Sequence, residues 1–183
     1  MRQKRGQLFN LVVSHEPGLP GMRRALREVE AALGMKVLVF DSPRNLLLLK
    51  VDNPFKATAL LRERLPLDTV VLRAIPLDSV VAPYLDEVAE EAAQLFSAKA
   101  RPDNTFAIRL EGHLLDRESG TELHKQEAIR VIAKGIDAPV NLSAPDILVL
   151  VKVVKVRRSL HYAGIMVAPP SSIFSRARRG ASG

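Results

Sequence analysis

Two apolar periodicities alternate along the chain, and together they predict its elements. "QLFNLVVS" (7–14) is an apolar run of strand length. Met22, Ala25, Leu26, Val29 and Leu33 then fall at helical spacing, which predicts a helix over 20–33 with Pro20 at its start and Gly34 at its stop. "MKVLVFD" (35–41) and "NLLLLKVD" (45–52) are two runs joined by "SPR", the pattern of a hairpin. "PFKATALLRERL" (54–65) predicts a second helix with Pro54 in its first turn, and "TVVLRAIP" (69–76) a fourth strand. The order is βαββαβ, the ferredoxin-like pattern, and it bounds an N-terminal domain at residues 1–78.

"PLDSVVAPY" (76–84) holds two prolines and reads as a linker. A helix follows at 84–98. Leu85, Val88, Ala89, Ala92, Leu95 and Phe96 form its apolar stripe, and Asp86, Glu87, Glu90 and Glu91 the opposite, solvated face. "TFAIRLEGH" (105–113) predicts a strand. "SGTELHKQEAIRVIAKGI" (119–136) predicts a helix, with Ser119 and Glu122 at capping-box spacing. "DAPVNLSAPD" (137–146) reads as a loop. "ILVLVKVV" (147–154) and "LHYAGIMVA" (160–168) are strands, and the first is so continuously apolar that it belongs at the centre of a sheet. Residues 79–170 thus form a second domain of α/β type, and 171–183 a flexible basic tail. The fold class is α+β.

Composition narrows the chemistry. The 183 residues include no cysteine, which excludes disulfides, thiolate metal sites and a cysteine nucleophile. No run approaches the roughly 18 apolar residues of a membrane span. The basic opening "MRQKRG" leads into too short an apolar run for a secretory signal, so a cytoplasmic protein is expected. Neither GxxxxGK[ST], GxGxxG nor GxSxG occurs. The four histidines fall on separate elements. His124 and Glu127 stand one helical turn apart without further ligands, so no metal is expected, and no cofactor either.

Charge is the informative quantity. The net charge is +7, and all 20 carboxylates precede residue 147. The last 37 residues hold Lys152, Lys155, Arg157, Arg158, Arg176, Arg178 and Arg179 against no acid. Such one-sidedness points to a polyanion surface. By strand alternation Lys155 and Arg157 share one face, with Lys152 and Arg158 on the other. Tyr162 follows beyond the "RRS" turn and suits either a base stack or the edge of the core.

The second half resembles the THUMP domain, an RNA-binding module of tRNA-modifying proteins. The residues that carry the resemblance are "TFAIRLEGH", "TELHKQ" and above all "APVNLSAPDILVLVKVV", whose Val140, Leu142, Pro145 and Asp146 match the family's V-x-L-x-x-P-D loop. With the ferredoxin-like domain in front, it covers residues of about 7–168. The resemblance implies a tRNA ligand held by its acceptor stem and 3′ end. The architecture is similar to the stand-alone tRNA-acetylation adaptor, which presents tRNA to a separate RNA cytidine N4-acetyltransferase acting on the D-arm. That implies a non-catalytic protein. The alternatives are a subunit for methyl- or thio-transfer, or a stand-alone RNA-modifying enzyme. The RNA-binding candidates are Arg109, Arg117, Lys125, Lys152, Lys155, Arg157, Arg158, His113 and Tyr162, with Arg176–Arg179 behind them. Two departures stand out. Gly112 and His113 follow where relatives often place a second cation, and "APPSSIF" replaces the "GGLP" loop of the thiouridine synthetases.

Overall fold

The computed structural model describes residues 7–179, the side chains of Arg178 and Arg179 excepted. In chain order the elements are β1 (Leu11–His15), α1 (Gly18–Leu33), β2 (Leu38–Asp41), β3 (Leu46–Lys50), α2 (Pro54–Arg64), β4 (Val71–Pro76), β5 (Ser79–Val81) and α3 (Leu85–Lys99). There follow β6 (Phe106–Glu111), α4 (Lys125–Lys134), β7 (Ile147–Lys155), β8 (His161–Ala168), β9 (Phe174–Ser175) and the single turn α5 (Arg176–Arg179). They form two compact units. One runs to Leu77 and resumes at Ser171; the other is Asp78–Pro170.

The first unit has the expected βαββαβ order, with strands in the order β2-β3-β1-β4-β9, antiparallel throughout. Alternation explains its core. Leu11 and Val13 of β1 and Leu47 and Leu49 of β3 lie under Ala25 and Val29 of α1 and Ala57 and Leu61 of α2. α1 enters close to the preceding loop: a Cβ on Gly21 would sit 2.1 Å from the Glu16 carbonyl oxygen, so only glycine fits. α2 is capped by Asn53, whose side chain accepts the Lys56 N–H.

The end of the chain differs from the expected flexible tail. Residues 171–179 return to the first unit. Phe174 is 1% exposed and joins its core, and β9 pairs with β4 through Arg73↔Ser175 and Ala74↔Phe174. The Arg62 guanidinium donates to the carbonyls of Ser171 and Ile173. Arg176 donates to the Glu16 carboxylate at 2.8 Å and to the Thr69 carbonyl at 2.9 Å. The physical reason is the pair Ile173–Phe174, two large apolar side chains inside a polar stretch, which gain more from burial than the backbone loses in freedom.

The second unit is a four-stranded sheet in the order β5-β8-β7-β6, with β6 and β7 parallel and the rest antiparallel. α3 and α4 cover one face through Val88, Ala92, Phe96, Ala128 and Ile132, against Phe106, Leu110, Val149, Val151 and Ile165. Two expectations need correction. The 76–84 linker contains an edge strand, β5, and the Asp78 carboxylate accepts the Val167 N–H while pairing with Lys99. The helix expected over 119–136 begins only at Lys125. Ser119 is not its cap but turns back on Asp116, whose carboxylate accepts both its N–H and its hydroxyl. Asp116 outcompetes a helical start because it lies three residues before Ser119, the spacing of a local side-chain turn.

At the end of β6 the chain turns at Gly112, with φ 91°. A Cβ there would lie 2.9 Å from the Val153 Cβ on β7. Gly112→Ala is therefore expected to destabilise the second unit by more than about 1 kcal/mol, from the left-handed backbone and the clash together, read by denaturant unfolding. Phe174→Ala is expected to cost about 3–5 kcal/mol in the same assay. Unchanged stability there would show the terminal segment to be the loose tail that composition alone suggests.

Candidate nucleic-acid interface

β7 dictates where its cations go. Ile147, Val149 and Val151 face the helices, and Leu148, Leu150 and Val154 on the other face are also buried. The apolar run ends at Lys155. There the chain leaves the sheet, and the Val156 N–H donates to the Leu160 carbonyl at 2.8 Å, closing a tight reversal over Arg157–Ser159. Arg158 and Ser159 both have φ 59°. Two successive left-handed residues suit a hairpin's twist, but they are normally supplied by Asn or Gly. An arginine there carries a backbone cost on the order of 1 kcal/mol, which points to a role for its side chain.

The result is a cationic hairpin tip. Lys155 lies opposite His161, and Lys155, Arg157, Arg158, Leu160 and His161 are all exposed. Residues 153–169 contain no carboxylate. Lys155 and Arg158 make no ion pair among the described residues. Tyr162 is half-buried opposite Val154, at the base of the tip.

The other candidates are distributed differently. Lys152 is neutralised. The parallel register sets Glu111 beside it, Nζ to Oε1 is 3.1 Å, and the two side chains are only 17% and 24% exposed. Lys152 also projects from the face opposite Lys155, since the two are three positions apart along the strand. Strand alternation does not extend to Arg157 and Arg158, because the strand has ended; the turn, not the pleat, directs them. Arg109 is exposed on β6, level with Leu150. His113 is exposed just past Gly112, beside the end of β7.

Arg117 is a structural clamp. Its Nε lies 2.8 Å from Asp86, its Nη2 3.1 Å from Glu87, and its guanidinium 4.6 Å from the Tyr84 ring centroid. The hydrogen bonds it donates to Asp86, then to Glu87, raise the Arg117 pKa, and accepting the bond from Arg117 holds Asp86 below the usual carboxylate value. Lys125 is exposed at the start of α4, on a separate element from the tip. Arg176 is tied to Glu16 in the first unit, and the side chains of Arg178 and Arg179 lie outside the described residues. The seven terminal cations are thus not one uncompensated strip. Among the described side chains, Lys152 and Arg176 pair with the carboxylates of Glu111 and Glu16, while Lys155, Arg157 and Arg158 are exposed together at the tip. His161, which follows the turn directly in the chain, joins them opposite Lys155.

No helix among the described residues is long and apolar enough to cross a membrane. Among those residues no group of three or more His, Asp or Glu side chains is arranged to hold a metal.

No family model matches the chain, and no curated protein does. Solved structures do. PH1313 from Pyrococcus horikoshii Ot3 aligns with a TM-score of 0.58 at 13% identity, covering 87% of this chain and 54% of that one. TrmN from Thermus thermophilus aligns with a TM-score of 0.54 at 16% identity, covering 87% and 46%. A 4-thiouridine synthetase in complex with RNA and bound ATP aligns at 0.49 and 15%, covering 88% and 42%. The chain spans about half the length of the solved structures it matches. The likeness to PH1313 and TrmN is one of fold, and it gives this chain an α+β architecture of THUMP type.

Proposed function

We propose that the protein is a tRNA-binding adaptor in tRNA modification. It holds the acceptor stem and 3′ end of a tRNA on its second unit, and presents the D-arm to a separate RNA cytidine N4-acetyltransferase. The observation that carries this reading is the hairpin tip, where Lys155, Arg157 and Arg158 stand exposed on a turn whose backbone is strained to hold them. Arginines can grip phosphate through two parallel donors, and Lys155 adds a point charge. Leu160 and Tyr162 flank the cations and offer apolar surface to a ribose or an unstacked base. The THUMP-type fold supports tRNA as the nucleic acid; the V-x-L-x-x-P-D loop marks that fold in the sequence and is not itself assigned a contact to the tRNA. The adaptor's contribution is positional. Binding free energy orients the tRNA toward the partner's active site, and no bond is altered by this chain's own residues.

Reversing Lys155 and Arg158 to glutamate is expected to weaken tRNA binding by at least about tenfold, and to flatten the log–log salt slope by roughly 0.7–0.9 per lost phosphate contact. Lys152→Gln, at a lysine already held by Glu111, is expected to leave affinity nearly unchanged. Titrations against tRNA at several salt concentrations read both, and wild-type binding by the double variant would remove the tip from the interface. Nucleoside profiling of tRNA from cells lacking the protein is expected to show loss of N4-acetylcytidine. Loss of a methylated or thiolated nucleoside instead assigns the chain to a different partner enzyme.

A further inference from the structure

The opposite end of the same sheet has a different character. The loop from α4 to β7, residues 135–146, exposes Leu142 at 82% and Val140 at 58%. An exposed leucine alone means little. Here, however, the backbone beneath is fixed along the loop's length. The Phe106 N–H donates to the Pro139 carbonyl at 3.0 Å, and the Asn141 N–H to the Phe106 carbonyl at 2.9 Å. The Asn141 side-chain oxygen accepts from the Ser143 and Ala144 N–H groups at 3.2 and 3.0 Å, so Leu142 rides the crest of an Asx turn. The Asp146 carboxylate closes the loop on the N–H and hydroxyl of Thr105, at 2.8 and 3.0 Å. Two apolar side chains are thus held in water on a loop whose backbone is fixed by hydrogen bonds on both sides of them.

Charge selects the kind of partner. Residues 135–146 contain Asp137 and Asp146 and no cation, and both aspartates are exposed. Both of the loop's own charges are negative and the nearest cation in the chain is Lys134 at the end of α4, so the loop offers phosphate little and a nucleic acid is the poorer occupant. A protein surface with an apolar pocket and cations at its rim is a good one. At about 3.3 Å per residue, the nine residues of β7 separate this loop from the cationic tip by roughly 27 Å, enough for both ends to be occupied at once.

We infer that the α4–β7 loop is the docking surface for the partner enzyme, with Leu142 as its anchor and Val140 beside it. This rests on the adaptor reading, and the test separates the two. Cells lacking the protein are complemented with wild type, Leu142→Asp or the milder Leu142→Gln. The enzyme that makes whichever tRNA nucleoside the deletion removes is purified and titrated with each form. The expected result is that both variants melt and bind tRNA like wild type, while L142D binds the enzyme at least about tenfold more weakly and fails to restore the nucleoside. Equal enzyme binding by L142D, full restoration, or no binding by wild type overturns the docking surface and leaves the tRNA reading standing. Loss of tRNA affinity in L142D makes the loop part of the RNA surface and also overturns it. A deletion that changes no tRNA nucleoside overturns the adaptor reading, and this inference with it.

Discussion

The pairing of β7 with β8 governs the second unit. Eight residue pairs run from Leu148↔Ala168 to Lys155↔His161, with β6 on the far side of β7 in parallel. A strand buried on both faces cannot shift its register without moving a whole row of side chains to the wrong face. That constraint fixes where the strand ends, and hence where the turn begins. It also fixes Glu111 beside Lys152, so the same register that builds the core decides which lysine is neutralised and which is left in solvent.

The two ends of this sheet solve opposite problems. At the tip, a short reversal without glycine or asparagine keeps three cations outside, at the expense of two left-handed residues. At the far end, Asn141, Asp146 and Thr105 use side-chain hydrogen bonds to stiffen a loop that carries apolar residues outward. Each end spends local stability on a surface feature that the core does not need.

Much of the fold was legible in the chain. The βαββαβ order, the helix at α3 and the central position of β7 follow from apolar spacing, because burial imposes the periods of helix and strand directly on the sequence. What failed was short or local. β5 and β9 are three and two residues long, too brief for a period to show. Ser119 and Glu122 carried the spacing of a capping box, yet Asp116 took Ser119 into a turn first. Among the candidate residues, Lys155, Arg157 and Arg158 are exposed as the sequence suggests, because the apolar run that buries β7 ends at Lys155. Lys152, Arg117 and Arg176 were misleading because their carboxylates, Glu111, Asp86 with Glu87, and Glu16, are distant in sequence.

The amino-acid sequence by itself determined the class of the fold, the strand at its centre and the excess of positive charge at its end. Periodicity and composition are properties of the chain, and they survive without coordinates. Only the tertiary structure decided which charges remain available, because pairing is a matter of distance in space. Asp86 reaches Arg117 and Glu16 reaches Arg176 through folds of the chain that no local pattern encodes. The same holds for Phe174, whose place in the first unit's core depends on a gap beside β4 that the sequence around it does not describe.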